Sequence, residues 1–370
     1  MNIGGPAVQI TGLMQGLESS KFQQRLVTGY CEKDEADYLD SFAKEVEVER
    51  ISGFGKSLNF IEDLKVLIKI IIIIREFRPH VIHTHTTKAG VIGRVASLLS
   101  GITSYRVHTY HGHLLNGYFS NYKIKLLIFI ERFLAYFTHK IVSVGNQVKQ
   151  DLLNVKIGNE NKFVIIPPGM NAPNPKSREV ALSKLNLSSE KIYCLFLGRV
   201  TKIKRPDRLI RVVEIIKSRG VEIQFLIAGS GDLLDSAKKE VVRNNLPVTF
   251  LGWRNDIDTL FGLSDMLLLT SDNEGTPLSV VQAQMAGVPV VATNVGSTSE
   301  VMLNGVSGFL TSLDPNEIAD QLELLAKNKF LRSSMGESGM KYTSYKFSYE
   351  RLVLDHSKLY LELVTNQAIS

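Results

Sequence analysis

The sequence predicts an α/β protein made of two doubly wound domains, each built on a parallel sheet. Three observations carry this. The chain has 370 residues, too many for one ordinary core and enough for two. Short β-like runs alternate with longer amphipathic runs almost throughout, the pattern of parallel strands covered by helices. The alternation pauses once, at the proline-rich stretch FVIIPPGMNAPNPKS (163–177), and then restarts.

In the first half, RLVTGY (25–30), VEVERI (46–51), HVIHTH (80–85), SYRVHTY (104–110) and KIVSVG (140–145) read as strands, with helical patterns between most of them. The most apolar stretch is LKVLIKIIIIIREF (64–77), broken by Lys65 and Lys69 and closed by Arg75 and Glu76. A spanning helix needs about 20 apolar residues, so this run is expected to be a core segment, helical or strand-like, and not a membrane span. In the second half, IYCLFLG (192–198), EIQFLIAG (222–229), VTFLG (248–252), DMLLLTS (265–271) and VPVVAT (288–293) read as strands. The best linker is 167–175, giving domains of 1–172 and 173–345. YERLVLDHSKLYLELV (349–364) is a long amphipathic helix with no strand after it, in a final segment of 346–370.

Hydrophobic residues at 44% and charged residues at 22% mark a globular chain. The net charge of +6 is a mild basic bias, suited to acidic small molecules or an anionic membrane surface. No basic block dominates and aromatic residues do not interleave with basic ones, so nucleic acid is not an expected partner. Cys31 and Cys194 are far apart and outside any CxxC pattern. With no secretory signal visible, a reduced, cytoplasmic chain is expected.

In doubly wound sheets ligands bind where strand carboxyl ends turn into helices, and the informative residues follow strands. In FLGRVTKIKRPDRLIRVV (196–213), Arg199 and Lys204 stand on the loop between a strand end and a helix start. Such a pair suits a diphosphate, since arginine forks two oxygens and lysine adds a point charge. In FLIAGSGDLLDSAKK (225–239), Gly229 begins a turn where backbone can approach a ligand closely. In SDNEGTPLSVVQAQMAGVPVVAT (271–293), a helix is expected to start near Pro277 with Thr276 as its cap, leaving free N–H groups at 277–279 as an anion site. Glu274 precedes that cap and is free to accept hydrogen bonds from sugar hydroxyls. Positions 278, 281, 282 and 285 share a helical face, which puts Gln282 on the ligand or core side.

These motifs resemble the nucleotide-binding half of family-4 glycosyltransferases, retaining enzymes with the GT-B fold of two Rossmann-like domains facing across a cleft. The order GR-x4-K, AGSG, FLG, EGTPL matches over 192–312. NIGGPAVQ (2–9), HTHTTKAGVIGR (83–94) and HTYHGHLLNGYFS (108–120) are similar to the acceptor-side half, and the last helix resembles one that crosses back to the first domain. The resemblance implies that Arg199 and Lys204 hold the donor diphosphate and that Glu274 binds the donor sugar. It places the backbone of Gly275, Thr276, Pro277 and Leu278 over sugar and phosphate, Gly4 and Gly5 in the loop opposite, and His111 near the reaction centre. Arg199, Lys204, Glu274 and His111 are thus the implied catalytic set. The position of Gln282 usually carries a glutamate for the ribose hydroxyls; an amide makes a weaker contact there. No cofactor is implied; the donor is expected to be a UDP-linked sugar, and the acceptor a glycan or lipid-linked molecule in bacterial polysaccharide assembly. NYKIKLLIFIERFLAYFTHK (121–140) is amphipathic and basic, as suits docking on the inner face of the membrane. Family members carry a short apolar strand before NIGGP, where this chain has Met1 alone, so the first domain is expected to lack that strand and to expose its neighbours' edges.

Six of the eight histidines fall within 80–113: His80, His83, His85, His108, His111 and His113. They sit at two strand ends and alternate in facing, so they are not expected to converge on a metal. His83 and His85 read as wall or core residues. Two other functions stay open at this point. One is a non-catalytic nucleotide-sugar-binding scaffold, which Gln282 invites and the retained Arg199, Lys204, Glu274 and His111 oppose. The other is a nucleotide-sugar epimerase, which would want a converging acid–base pair, and no clear pair is visible.

Overall fold

The computed structural model describes residues 1, 4–31, 37–55, 59–112 and 121–365. Asn2 and Ile3 of the NIGGP loop, and residues 113–120 including His113, lie outside the described residues. The chain divides into two compact units, residues 1–170 with 347–370, and residues 171–346.

In the first unit, α1 (Gly5–Gly16) leads to β1 (Leu26–Thr28), α2 (Tyr38–Phe42) and β2 (Val48–Arg50). Then come α3 (Phe60–Phe77), β3 (Val81–His85), α4 (Thr87–Leu99), β4 (Tyr105–Tyr110), α5 (Asn121–Phe137), β5 (Lys140–Ser143), α6 (Asn146–Asn154) and β6 (Phe163–Ile165). All pairings are parallel, in two groups: β1 with β2, and a four-stranded sheet in the order β3-β4-β5-β6.

The apolar run at 64–77 falls in α3, and it is not a fully buried segment. Its start is set by Asn59, whose side chain accepts from the N–H of Ile61 and of Glu62, satisfying two groups the helix cannot. Val66, Ile70, Ile73 and Ile74 face the core, while Ile61, Leu64, Ile68 and Ile72 are exposed. The lysines at 65 and 69 mark the change of face that a helical period imposes on so apolar a sequence.

The second unit holds α7 (Arg178–Leu185), β7 (Ile192–Leu197), α8 (Pro206–Ser218), β8 (Ile223–Ala228), α9 (Leu234–Arg243), β9 (Val248–Gly252) and α10 (Ile257–Leu263). It continues with β10 (Met266–Leu269), α11 (Leu278–Met285), β11 (Val290–Thr293), α12 (Thr298–Val301), β12 (Gly308–Thr311), α13 (Pro315–Lys327) and α14 (Lys329–Lys346). Its sheet is parallel, in the order β12-β11-β10-β7-β8-β9. The central strands are apolar on both faces because helices cover both: every residue of β10 and β11 is buried. The order reverses between β7 and β10, the switch point at which loops diverge and leave a crevice.

Finally α15 (Tyr349–Thr365) belongs to the first unit. Leu352, Leu359, Tyr360 and Leu363 share a core with Val107 of β4 and Val142 of β5. Its contact with α1 is close: a Cβ on Gly12 would stand 2.0 Å from the Tyr349 ring, and one on Gly16 would stand 2.3 Å from Val353.

The first unit also buries a salt bridge. Arg94 of α4 donates to both oxygens of Glu131 on α5, at 2.8 and 2.6 Å, and the Tyr110 hydroxyl donates to the same carboxylate at 2.5 Å. Arg94 and Glu131 are 1% and 0% exposed. Removing one partner of such a pair strands the other charge in a medium that cannot solvate it. Glu131→Leu is therefore expected to cost about 3–5 kcal/mol, read as a lower urea midpoint for the first unit; an unchanged midpoint would contradict the assignment.

Candidate active site

The site of the second unit is built where β7, β8 and β10 end. Gly198 N donates to Ala228 O at 3.0 Å, Gly229 N to Gly252 O at 2.7 Å and Val200 N to Ser230 O at 2.9 Å. The backbones are so close that a Cβ on Gly229, whose φ is +151°, would stand 1.8 Å from Gly198 O. A Cβ on Gly231 would stand 2.3 Å from Val200 O. Glycine is required there by space.

The third loop is tied to the first. Asp272 N donates to Ile203 O at 2.9 Å and the Thr270 hydroxyl to Lys204 O at 2.9 Å. The buried Arg208 of α8 donates to Thr270 O at 2.6 Å and to the Asp272 carboxylate at 2.7 Å, and Arg205 bridges Asp272 and Asp207. These two arginines hold the loop in place, a structural task the sequence reading did not assign to them. On the other side, Ser297 N donates to Glu274 O at 3.0 Å, and a Cβ on Gly296 would stand 1.9 Å from that oxygen.

The outcome is an ion pair. Lys204 Nζ lies 2.5 Å from Glu274 Oε1, which also accepts from the Ser271 hydroxyl at 2.5 Å. Both side chains are largely shielded, at 16% and 10% exposure. Arg199 is exposed on the same loop as Lys204, and among the described residues nothing pairs with its guanidinium. Lys204 is thus satisfied by a carboxylate, while Arg199 stands open to an anion.

The helix start differs from the expectation. α11 begins at Leu278, so Pro277 is the cap residue and not the first helical one, and no side chain caps the helix. Proline also has no N–H. Val280 N and Val281 N both donate to Pro277 O, which leaves the N–H groups of Leu278 and Ser279 without an intrahelical acceptor. The anion site is therefore 278–279 and not 277–279. Pro277 is buried, and Gly275, Thr276 and Leu278 are half-exposed beside it. On the helix, Val281 and Met285 are buried and Gln282 is half-buried. The amide taken into the interior is Gln284, which donates to Val301 O at 2.6 Å. An apolar face with two glutamines two residues apart does not say which of them turns inward.

Gly4, Gly5 and His111 belong to the other unit. Gly4 is extended and leads into α1, with Pro6 in the first turn. His111 follows β4. Facing alternates as expected, so the histidines do not all converge: His83, His85 and His111 gather, joined by His356 of α15. Ring centroids are 5.1 Å apart for His111–His85, 4.2 Å for His85–His83 and 5.6 Å for His83–His356. Parallel register sets His85 level with Thr109, two residues before His111. His108 points the other way, to Thr84 at 2.8 Å. His356 was not legible as a member, because nothing in the sequence ties position 356 to strand ends at 85 and 110. Among the described residues, no group of three or more His, Cys, Asp or Glu has the geometry to hold a metal ion.

Residues 3–172 match the profile "Glycosyltransferase Family 4" and residues 177–342 the profile "Glycosyl transferases group 1". A UDP-Gal:alpha-D-GlcNAc-diphosphoundecaprenol alpha-1,3-galactosyltransferase of Escherichia coli is 26% identical over 90% of this chain and 87% of its own. The capsular polysaccharide biosynthesis glycosyltransferase CapM of Staphylococcus aureus is 25% identical over 82% of each chain. Among solved structures, Anabaena HepE in complex with UDP and glucose matches with TM-score 0.81 and 18% identity over 96% of this chain and 95% of its own. Sucrose-phosphate synthase from Thermosynechococcus elongatus matches with TM-score 0.82 and 18% identity over 98% and 94%. Fold and matches together define a GT-B glycosyltransferase. The chain belongs to glycosyltransferase family 4, and neither the scaffold nor the epimerase reading is favoured.

Removal from water holds the rings of the histidine row neutral: it lowers His83 and His85 well below the ordinary histidine value, His111 to about 3 and His356 to about 4. An unfolded histidine takes up a proton near pH 6.5. The stability these rings contribute is therefore whole above pH 6.5 and is lost as pH falls from there toward their folded values. We expect the first unit to lose about 2 kcal/mol per shielded ring between pH 6.5 and 5, measured by urea unfolding. A flat stability curve over that range would refute the burial of the row.

Proposed function

We propose that this chain transfers a hexosyl or N-acetylhexosaminyl group, with retention, from a UDP-linked sugar to a glycan or lipid-linked acceptor in bacterial surface polysaccharide synthesis. The observation that carries the reading is the Lys204–Glu274 pair at 2.5 Å, held by backbone at the strand ends of a parallel sheet. Its ammonium and its carboxylate are in direct contact, so a diphosphate and the sugar attached to it can be gripped side by side. The names of the relatives agree: the E. coli protein acts with UDP-Gal on a diphosphoundecaprenol-linked sugar, and CapM is a glycosyltransferase of capsular polysaccharide biosynthesis.

In this reading Arg199 meets the entering diphosphate, Lys204 turns toward it, and the N–H groups of Leu278 and Ser279 face the same charge. The sugar–phosphate bond breaks with its electron pair on the β-phosphate. The acceptor oxygen bonds to the anomeric carbon from the same face, and its proton passes to a phosphate oxygen. The charge that grows on the leaving phosphate is the quantity the site stabilises, with donors set in place beforehand. Glu274 holds sugar hydroxyls, Gly275 to Leu278 line sugar and phosphate, Gly229 lets the backbone come close, and Gln282 makes a single neutral contact to the ribose. On the first unit, Gly4, Gly5 and His111 are the residues this reading assigns to the reaction, and no resident cofactor takes part.

Lys204→Ala is expected to lower turnover by about 10²–10³, measured as UDP release from UDP-glucose, UDP-galactose and UDP-N-acetylglucosamine. Near-normal turnover would remove Lys204 from the diphosphate site.

We further propose that α5 lies against the inner face of the membrane. No helix among the described residues is long and apolar enough to cross one. Leu126, Phe129, Phe133 and Tyr136 are instead 52%, 69%, 57% and 78% exposed, one stripe along the helix with Lys125 and Arg132 beside it. That arrangement suits partial insertion among anionic headgroups. Phe129→Ser with Phe133→Ser is expected to weaken co-sedimentation with phosphatidylglycerol vesicles by about tenfold. Absence of vesicle binding by the unaltered chain would overturn docking.

A further inference from the structure

We propose that His85 is a positioning residue for His111, and that it makes Nδ1 the nitrogen of His111 that meets a ligand. The inference rests on the reading of His111 as a reaction-centre residue. His85 Nδ1 and His111 Nε2 are 2.9 Å apart, so one proton lies between them. If His111 donates, its Nδ1 is a bare acceptor; if His85 donates, His111 Nδ1 carries the proton. Either way the two neutral rings carry their protons on the same nitrogen, both on Nε2 or both on Nδ1, and the outward function of His111 is decided by its neighbour.

The other nitrogen of His111 has no such neighbour. Its Nδ1 is buried and, among the described residues, has no hydrogen-bond partner. A shielded ring nitrogen without a partner is unfavourable by the loss of its hydration, and a sugar or acceptor hydroxyl has both the donor and the acceptor to satisfy either tautomer.

His85 can set a ring because its own ring is set. It stacks on His83 at 4.2 Å, and His83 is pinned at both nitrogens, by the Tyr360 hydroxyl at 2.6 Å and the Thr109 hydroxyl at 2.7 Å. His356 closes the far side of His83. The orientation of His111 is therefore referred through two rings to β4 and α15. The rings remain neutral near pH 7, so the hydrogen bond between His85 and His111 involves one proton and not two.

The test uses the full chain, with UDP release from UDP-glucose, UDP-galactose and UDP-N-acetylglucosamine as turnover and 15N spectra of histidine-labelled protein as the structural readout. His85→Ala is expected to lower kcat about 10- to 100-fold, as a misplaced group does, and to leave KM within about twofold. His85→Asn, whose amide can reach His111 Nε2 as Nδ1 does, is expected to restore most of the rate. The double variant with His111→Ala is expected to be no slower than His111→Ala alone. The His111 ring is expected to show one tautomer in the unaltered chain and a mixture in His85→Ala. Loss of turnover in His111→Ala with normal turnover in His85→Ala overturns the inference and leaves the role of His111 standing. Normal turnover in His111→Ala overturns that role and the inference with it. A single unchanged His111 tautomer in His85→Ala also overturns the inference.

Discussion

The second unit depends on the contact of backbone with backbone at its strand ends. Gly229 meets Gly198 O, Gly231 meets Val200 O and Gly296 meets Glu274 O, each too close for any side chain. The loops after β7 and β8 are thereby locked together, as are those after β10 and β11, and the Asp272 N–H, donating to Ile203 O, joins the two pairs through main-chain atoms. Lys204 and Glu274 owe their 2.5 Å approach to that lock, because each is carried by a loop that cannot shift alone. Arg205 and Arg208 secure the same loops by charge. A site so built has its charges set before a ligand arrives, which is the condition for electrostatic stabilisation without reorganisation.

The first unit places polar groups inside by two different means. Arg94 and Glu131 remain charged and satisfy each other, with Tyr110 completing the carboxylate. The histidine row gives up its charge. Neutral imidazoles tolerate removal from water far better than an unpaired ion does, and they keep a donor and an acceptor each. A charged pair fixes α4 to α5, whereas a neutral row can present a nitrogen to a visitor. Structure and chemistry divide between these two clusters in one unit.

Much of the fold was legible because its strands are short, apolar and bounded by turn residues. Ile192–Leu197, Ile223–Ala228 and Val248–Gly252 fall where the sequence indicates them. α3 was ambiguous, since a run of isoleucines satisfies a helix face and a buried strand alike. The loops holding Arg199, Lys204, Gly229 and Glu274 follow strand ends as the alternation requires. What could not be read are relations between distant positions. The Lys204–Glu274 pair spans 70 residues. His356 reaches His83 only because α15 folds back. Pro277 was placed one position too far into its helix by a preference that holds on average, and Gln282 and Gln284 are separated by about half a helical turn.

The return of α15 gives the molecule a particular order of assembly. Leu352, Leu359, Tyr360 and Leu363 fill the core beside Val107 and Val142, and they lie beyond the whole of the second unit in the chain. During synthesis, residues 171–346 emerge complete while the unit begun earlier still lacks one wall. The usual sequence of domain folding, first made and first folded, is thereby inverted. Until Tyr360 arrives, His83 is held at one nitrogen only, by Thr109, and the row lacks His356. A ribosome halted before α15 would hold a finished second unit joined to an unfinished first one, so that the complete transferase is withheld until the last few turns of helix have been made.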